Sequence, residues 1–194
     1  MEPGVSHHEP SEPKPPHLGF DDLLRRLGRI QPGLSFGPDA RAVRLLVDAV
    51  RRQVPELDPL QRRQVAEALR DVWDNEILRW VRTDVVRVVG LLGAEAAMLV
   101  PQLTDDLEEA EATWQRDLTE GGETSRPGDI VALQVEYGAK FDRTIVNRLS
   151  LTDALGAIGP AAKEAVPLLE RLVVEGDPTL RYLAARALRR IHAD

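Results

Sequence analysis

Two stretches of the chain, GLLGAEAAMLVPQL at 90–103 and GAIGPAAKEAVPLL at 156–169, repeat one another at a constant offset of 66 residues. Gly90 falls on Gly156, Gly93 on Gly159, Ala96 on Ala162, Val100-Pro101 on Val166-Pro167 and Leu103 on Leu169. Eight residues ahead of the first glycine, Arg82 falls on Arg148. A third copy opens at DPTLRYLAARALRRI, where Arg181 lies 33 residues beyond Arg148, so the period is 33. Such a period marks a supersecondary unit that cannot bury its apolar face alone and must stack on its neighbours. In the best copy a first helix ends at the glycine pair, which is expected to supply left-handed caps. A second helix, AAKEAVPLLERLVVEG, is expected to start at once, with its proline near the first turn or two, where few helical bonds are lost. Gly176 closes that helix and Asp177-Pro178 opens the next.

These residues resemble the HEAT repeat, in the bacterial HEAT-like form associated with phycobilisome lyases. The resemblance is clear over about 145–191 and weaker over 76–110. It implies an all-α, HEAT-like α-solenoid of stacked helical hairpins. It also implies that Asp177 and the recurrent arginines Arg82, Arg148 and Arg181 tie adjacent repeats together as structural residues.

The remaining apolar pattern is almost entirely of helical period. Residues 1–17 hold five prolines and three of the four histidines and few apolar groups, so a disordered tail is expected, with the helical domain over 18–194. GFDDLLRRLGRI reads as a short helix capped by Asp21 or Asp22; it is expected to cap one end of the stack. After a Pro- and Gly-punctuated loop, Asp39 is expected to cap the next helix. Asp58-Pro59 is a further start, and the apolar pattern that follows is long enough to require a break near 75 or 83. DIVALQVEYG alternates like a strand, yet Ile130, Leu133, Tyr137 and Phe141 also fit a helical stripe; a lone strand would have nothing to pair with, so helix is expected.

The two good copies are separated by 33 extra residues, either a degenerate repeat or a lengthened hairpin. The hairpin is the preferred reading. Its first helix would run from about Glu95 past Pro101 to about Leu118, with Ala96, Leu99, Leu103, Leu107, Ala110 and Trp114 on one face. A loop and a return helix from about Ile130 to Leu155 would complete it.

Charge is concentrated in the same place. The net charge is −7, and segment 104–123 holds eight acids against Arg116 alone, so it carries the whole excess. An acidic chain disfavours nucleic acid or an anionic membrane as main partner. No cysteine is present, which excludes disulfides, thiolate metal sites and cysteine nucleophiles, and makes a reducing, cytoplasmic compartment the expectation. The N-terminus has no secretory pattern, and no apolar run is long enough to span a bilayer.

Candidate chemistry is sparse. Gly33-Leu34-Ser35-Phe36-Gly37 matches G-x-S-x-G, but prolines flank it, no strand precedes it, and His192 is the only histidine outside the tail. His7, His8 and His17 lack a ligand framework. No catalytic residue, metal or cofactor is therefore expected. Trp73 and Trp80 lie seven apart on one helical face; core packing explains them, with an aromatic anchor as the alternative.

The expectation is a non-catalytic protein-binding adaptor or assembly subunit. Its binding surface is the solvent side of the second helices: Gln102, Asp105, Asp106, Glu109, Lys163, Glu170 and Arg171, with the Trp73–Trp80 face in reserve. Asp105, Asp106 and Glu109 are all expected to face water, so the fold should be indifferent to them. The resemblance also implies two alternatives, a chromophore-lyase-type enzyme and, more remotely, a nucleic-acid-binding HEAT-like protein.

Overall fold

The computed structural model describes residues 19–29, 38–71, 73, 82–120 and 147–193. The 1–17 tail, the G-x-S-x-G match, Trp80, the 130–137 segment and most of the expected return helix lie outside the described residues. Among the described residues every element is helical: α1 (Phe20–Leu27), α2 (Pro38–Gln53), α3 (Pro59–Asp71), α4 (Arg82–Leu92), α5 (Val100–Glu120), α6 (147–158), α7 (Val166–Glu175) and α8 (Pro178–Ile191), with 3-10 segments at Val54–Glu56, Gly93–Leu99 and Gly159–Ala165.

The starts of these helices follow from a few side chains, though not always the expected ones. At α3 Asp58 caps the helix as anticipated: the Gln61 amide donates to Asp58 Oδ1 at 2.8 Å, and the Asp58 amide donates to Gln61 Oε1 at 3.1 Å. This reciprocal box satisfies two amides that the first turn leaves orphaned. Asp177 caps α8 by accepting from the Thr179 and Leu180 amides. At α1, by contrast, Gly19 is the cap residue and no side chain caps the helix. Asp22 sits inside the first turn and pairs with Arg26 at 2.9 Å, where its charge still complements the helix dipole. Asp39 likewise lies within α2, which begins at Pro38.

The glycine pairs of the repeat divide into two jobs. Only the second of each pair has positive φ: Gly93 at 65° and Gly159 at 72°. Gly90 and Gly156 sit inside α4 and α6 instead. The second helix of each unit also starts later than expected. A 3-10 segment follows the turn, with Ala162 outside helical geometry (φ −92°, ψ 27°), and the α-helix begins at Val100 or Val166. Proline explains the delay. Pro101 and Pro167 have no N–H to give to a carbonyl four residues back, so a helix started near Glu95 would lose a bond and clash. Within the first turn the missing N–H costs nothing.

Packing follows chain order. α1 packs on α2 and α3, α2 on α4, and α3 on the Gly93–Leu99 segment. The Gly93–Leu99 and Gly159–Ala165 segments touch each other, and α8 lies along α7. α4 is apolar nearly all round, with Val85, Val86, Val88, Val89 and Leu92 buried, because α2 covers it on one side and α6 on the other. Gly90 lies against Ala154 of α6, and the Thr83 hydroxyl bonds Asn147 Oδ1 at 3.2 Å. Among the described residues no further unit separates α4 from α6, although 54 residues separate them in sequence. α5 absorbs part of that excess. It is one helix of 21 residues, about 31 Å at 1.5 Å per residue, against 10 residues in α7. Leu103, Leu107 and Trp114 are buried along it, as the stripe predicts.

The glycines separate cleanly in a mutational test. A Cβ at Gly156 would stand 2.8 Å from the Ala187 Cα, whereas one at Gly90 would meet Ala154 at an ordinary 3.6 Å. Gly156→Ala should cost about 1–3 kcal/mol by overpacking. Gly90→Ala should be neutral or stabilising by up to about 1 kcal/mol, since alanine is the better helix former. Urea denaturation of the two variants distinguishes them; equal destabilisation would mean that α4 and α6 approach more closely than described.

Candidate partner-binding surfaces and the arginine clamps

The repeat arginines Arg82 and Arg148 are buried, and each is held between a tryptophan and a carboxylate. Arg82 lies over the Trp73 ring, 4.7 Å from its centre, and donates to Asp106 Oδ2 at 2.6 Å. Arg148, 1% exposed, lies over the Trp114 ring at 4.2 Å and donates through Nη1 to Glu111 at 2.6 Å and through Nη2 to Asp177 at 3.0 Å. A flat guanidinium can stack on a ring and use its edge donors at the same time, which an ammonium cannot. Glu111 belongs to α5 and Asp177 to the start of α8, so one side chain of α6 ties its own helix to two others. Asp177 serves twice, since its other oxygen caps α8. Arg181 is different: it is exposed, and its Nε donates to the Gly176 carbonyl just before the cap. Arg62 makes the same contact with the Leu57 carbonyl after Asp58-Pro59.

This geometry revises the candidate residues one by one. Asp106 does not simply face water: it is the partner of buried Arg82. Trp73 is 2% exposed and packs in the core, with no acceptor for its Nε1 among the described residues. Gln102 is half-buried, and its Oε1 is sequestered without a partner among those residues. Asp105, Glu109, Lys163, Glu170 and Arg171 are exposed. Glu108 of α5 reaches Arg171 of α7 at 3.4 Å, so the two second helices present one mixed-charge surface. Glu111 and Trp114 were legible on the apolar and acidic pattern of α5 but not as partners of Arg148. For Glu111 a signal did exist, because the 66-residue offset carries Asp177 back onto it.

Among the described residues no group of histidine, aspartate and glutamate could hold a metal ion. No described helix is long and apolar enough to cross a membrane. Compared with protein-family models, curated proteins and solved structures, the chain matches none.

Arg148 is the side chain whose loss the fold should feel most. Arg148→Met would leave Glu111 buried without its cation and should destabilise by about 3–5 kcal/mol. Adding Glu111→Gln should recover part of that loss. The pair of variants in a urea-denaturation cycle gives the coupling, and purely additive losses would show that the two side chains act independently.

Proposed function

We propose that the chain is a non-catalytic protein-binding adaptor or assembly subunit, built as a HEAT-like solenoid with one lengthened hairpin. Support for the solenoid comes from the serial packing of hairpins and from arginines recurring at the repeat period. Support for binding comes chiefly from α5. This helix is twice as long as its counterpart α7, and it carries Asp105, Glu108 and Glu109 on its exposed side. The turns beyond the length of α7 carry Glu111 and Trp114, which hold Arg148, and the acids open to a partner lie ahead of them on the same helix. The exposed acids are not consumed by the fold in the way Asp106 and Glu111 are. Stacked repeats present extended surfaces suited to macromolecular partners, and an acidic one selects a partner with a basic surface.

Affinity capture from native lysate, read by mass spectrometry, should return a protein at fixed stoichiometry, whereas a bound tetrapyrrole absorbing in the visible would replace this reading with a lyase-type one. With that protein in hand, Asp105→Lys/Glu109→Lys should slow its association several-fold at low salt, and the effect should shrink as ionic strength rises. Stability should be unchanged, because both side chains are exposed. An association rate indifferent to the double reversal would make α5 an ordinary solvated helix.

A further inference from the structure

We propose that the seam between α4 and α6 is a second binding surface, a groove that takes an acidic amphipathic helix of a partner protein. A trough of about 570 Å³ runs there. Its floor is made of small residues, Gly90, Ala154 and Ala157, and its walls of Leu91, Leu149 and Leu183. Leu91 is 48% exposed, an apolar side chain the fold leaves uncovered. The glycine at the floor is not demanded by packing, since a Cβ at Gly90 would find ordinary contacts. The equivalent Gly156 has no such room against Ala187. The trough therefore belongs to this seam and not to the repeat in general.

The rims specify the charge of the occupant. Arg51 and Arg87 stand on one side, and Asp153 on the other, where Arg186 and Arg190 of α8 both reach it. Among the described residues Arg51 pairs with Asp48 and Arg87 with Asp84 on their own helices, at 3.2 and 3.5 Å. Such pairs contribute little and leave most guanidinium donors available. With Arg44 on Asp84, these ion pairs bring together, among the described residues, five arginines and three aspartates, in a chain whose net charge is −7. An apolar trough open to solvent, flanked by cations, fits a helix that lays an i, i+3/i+4, i+7 stripe onto the floor and presents carboxylates to both rims. A small ligand would remain largely in water in a site this open. The groove shares no residue with the acidic surface of α5 and carries the opposite charge, so the two surfaces select different partners.

The test uses the full chain and two labelled helical peptides of about 18 residues, roughly five turns. Both carry the same leucine stripe, flanked in one by glutamates and in the other by lysines. Fluorescence anisotropy at low salt should show the glutamate peptide binding at least about tenfold more tightly, equivalent to about 1.4 kcal/mol. Arg51→Glu/Arg87→Glu should abolish or invert that preference; circular dichroism checks that the variant is folded. Methyl NMR should place the shifts of the glutamate peptide on Leu91, Leu149 and Leu183. The proposal is overturned if neither peptide binds, if the lysine peptide binds as well, if charge reversal leaves the ratio unchanged, or if the shifts fall on α5 and α7.

Discussion

A guanidinium withdrawn from water needs its charge matched nearby, and Arg148 imposes that demand on the middle of this protein, although its Nε has no hydrogen-bond partner among the described residues. Its plane is covered by Trp114 and its edge is taken by Glu111 and Asp177. Those three residues come from α5 and from the start of α8, so satisfying one side chain fixes where two other segments can lie. The net worth of such a triad against an apolar replacement can be small, because desolvation offsets much of the attraction. What it enforces is placement, since a shift of α5 or α8 would leave a buried charge uncompensated. Arg82 repeats the arrangement one unit earlier with Trp73 and Asp106.

The clamp also accounts for how an enlarged unit is tolerated. The chain between α4 and α6 is 33 residues longer than one period would require, yet α4 and α6 remain neighbours through Gly90, Ala154 and the Thr83–Asn147 contact. Added chain between two packed helices costs little in closure entropy, which grows slowly with length. The extended helix is secured by its own buried stripe and by Glu111 and Trp114 on Arg148. Asp105 and Glu109, on its exposed side, take no part in that clamp.

The seam where the extra residues enter leaves more room at its glycine than the next one does. Gly156 meets Ala187 with no space for a Cβ, whereas Gly90 meets Ala154 with ordinary clearance. One seam is thus closed by backbone contact, and the other leaves an apolar trough under arginine rims. The proposed adaptor thereby has an acidic surface on α5 and a net basic one over the first helices of its hairpins. Charge of opposite sign on separate helices is a simple means of keeping two partners from competing.

Much of the architecture was legible in the sequence because its causes are local. The 66-residue offset located the paired helices and the turns at Gly93 and Gly159, and the Asp-Pro pairs marked the caps at Asp58 and Asp177. The period-3.6 stripe anticipated the burial of Leu103, Leu107 and Trp114. Local pattern also misled where two local rules competed: a helix from Glu95 agrees with the apolar spacing, but Pro101 defers it to Val100. Tertiary structure alone decided the partners. Asp105 and Asp106 are adjacent acids of one helix, and nothing in their sequence says that the second meets Arg82, because that depends on how α5 lies against α4. Trp73 and Trp114 stand 9 and 34 residues before the arginines they cover, so no fixed spacing could join them. Caps, turns and stripes are set by neighbours a few residues away. Pairings between helices are set by rigid-body packing, which a linear pattern does not encode.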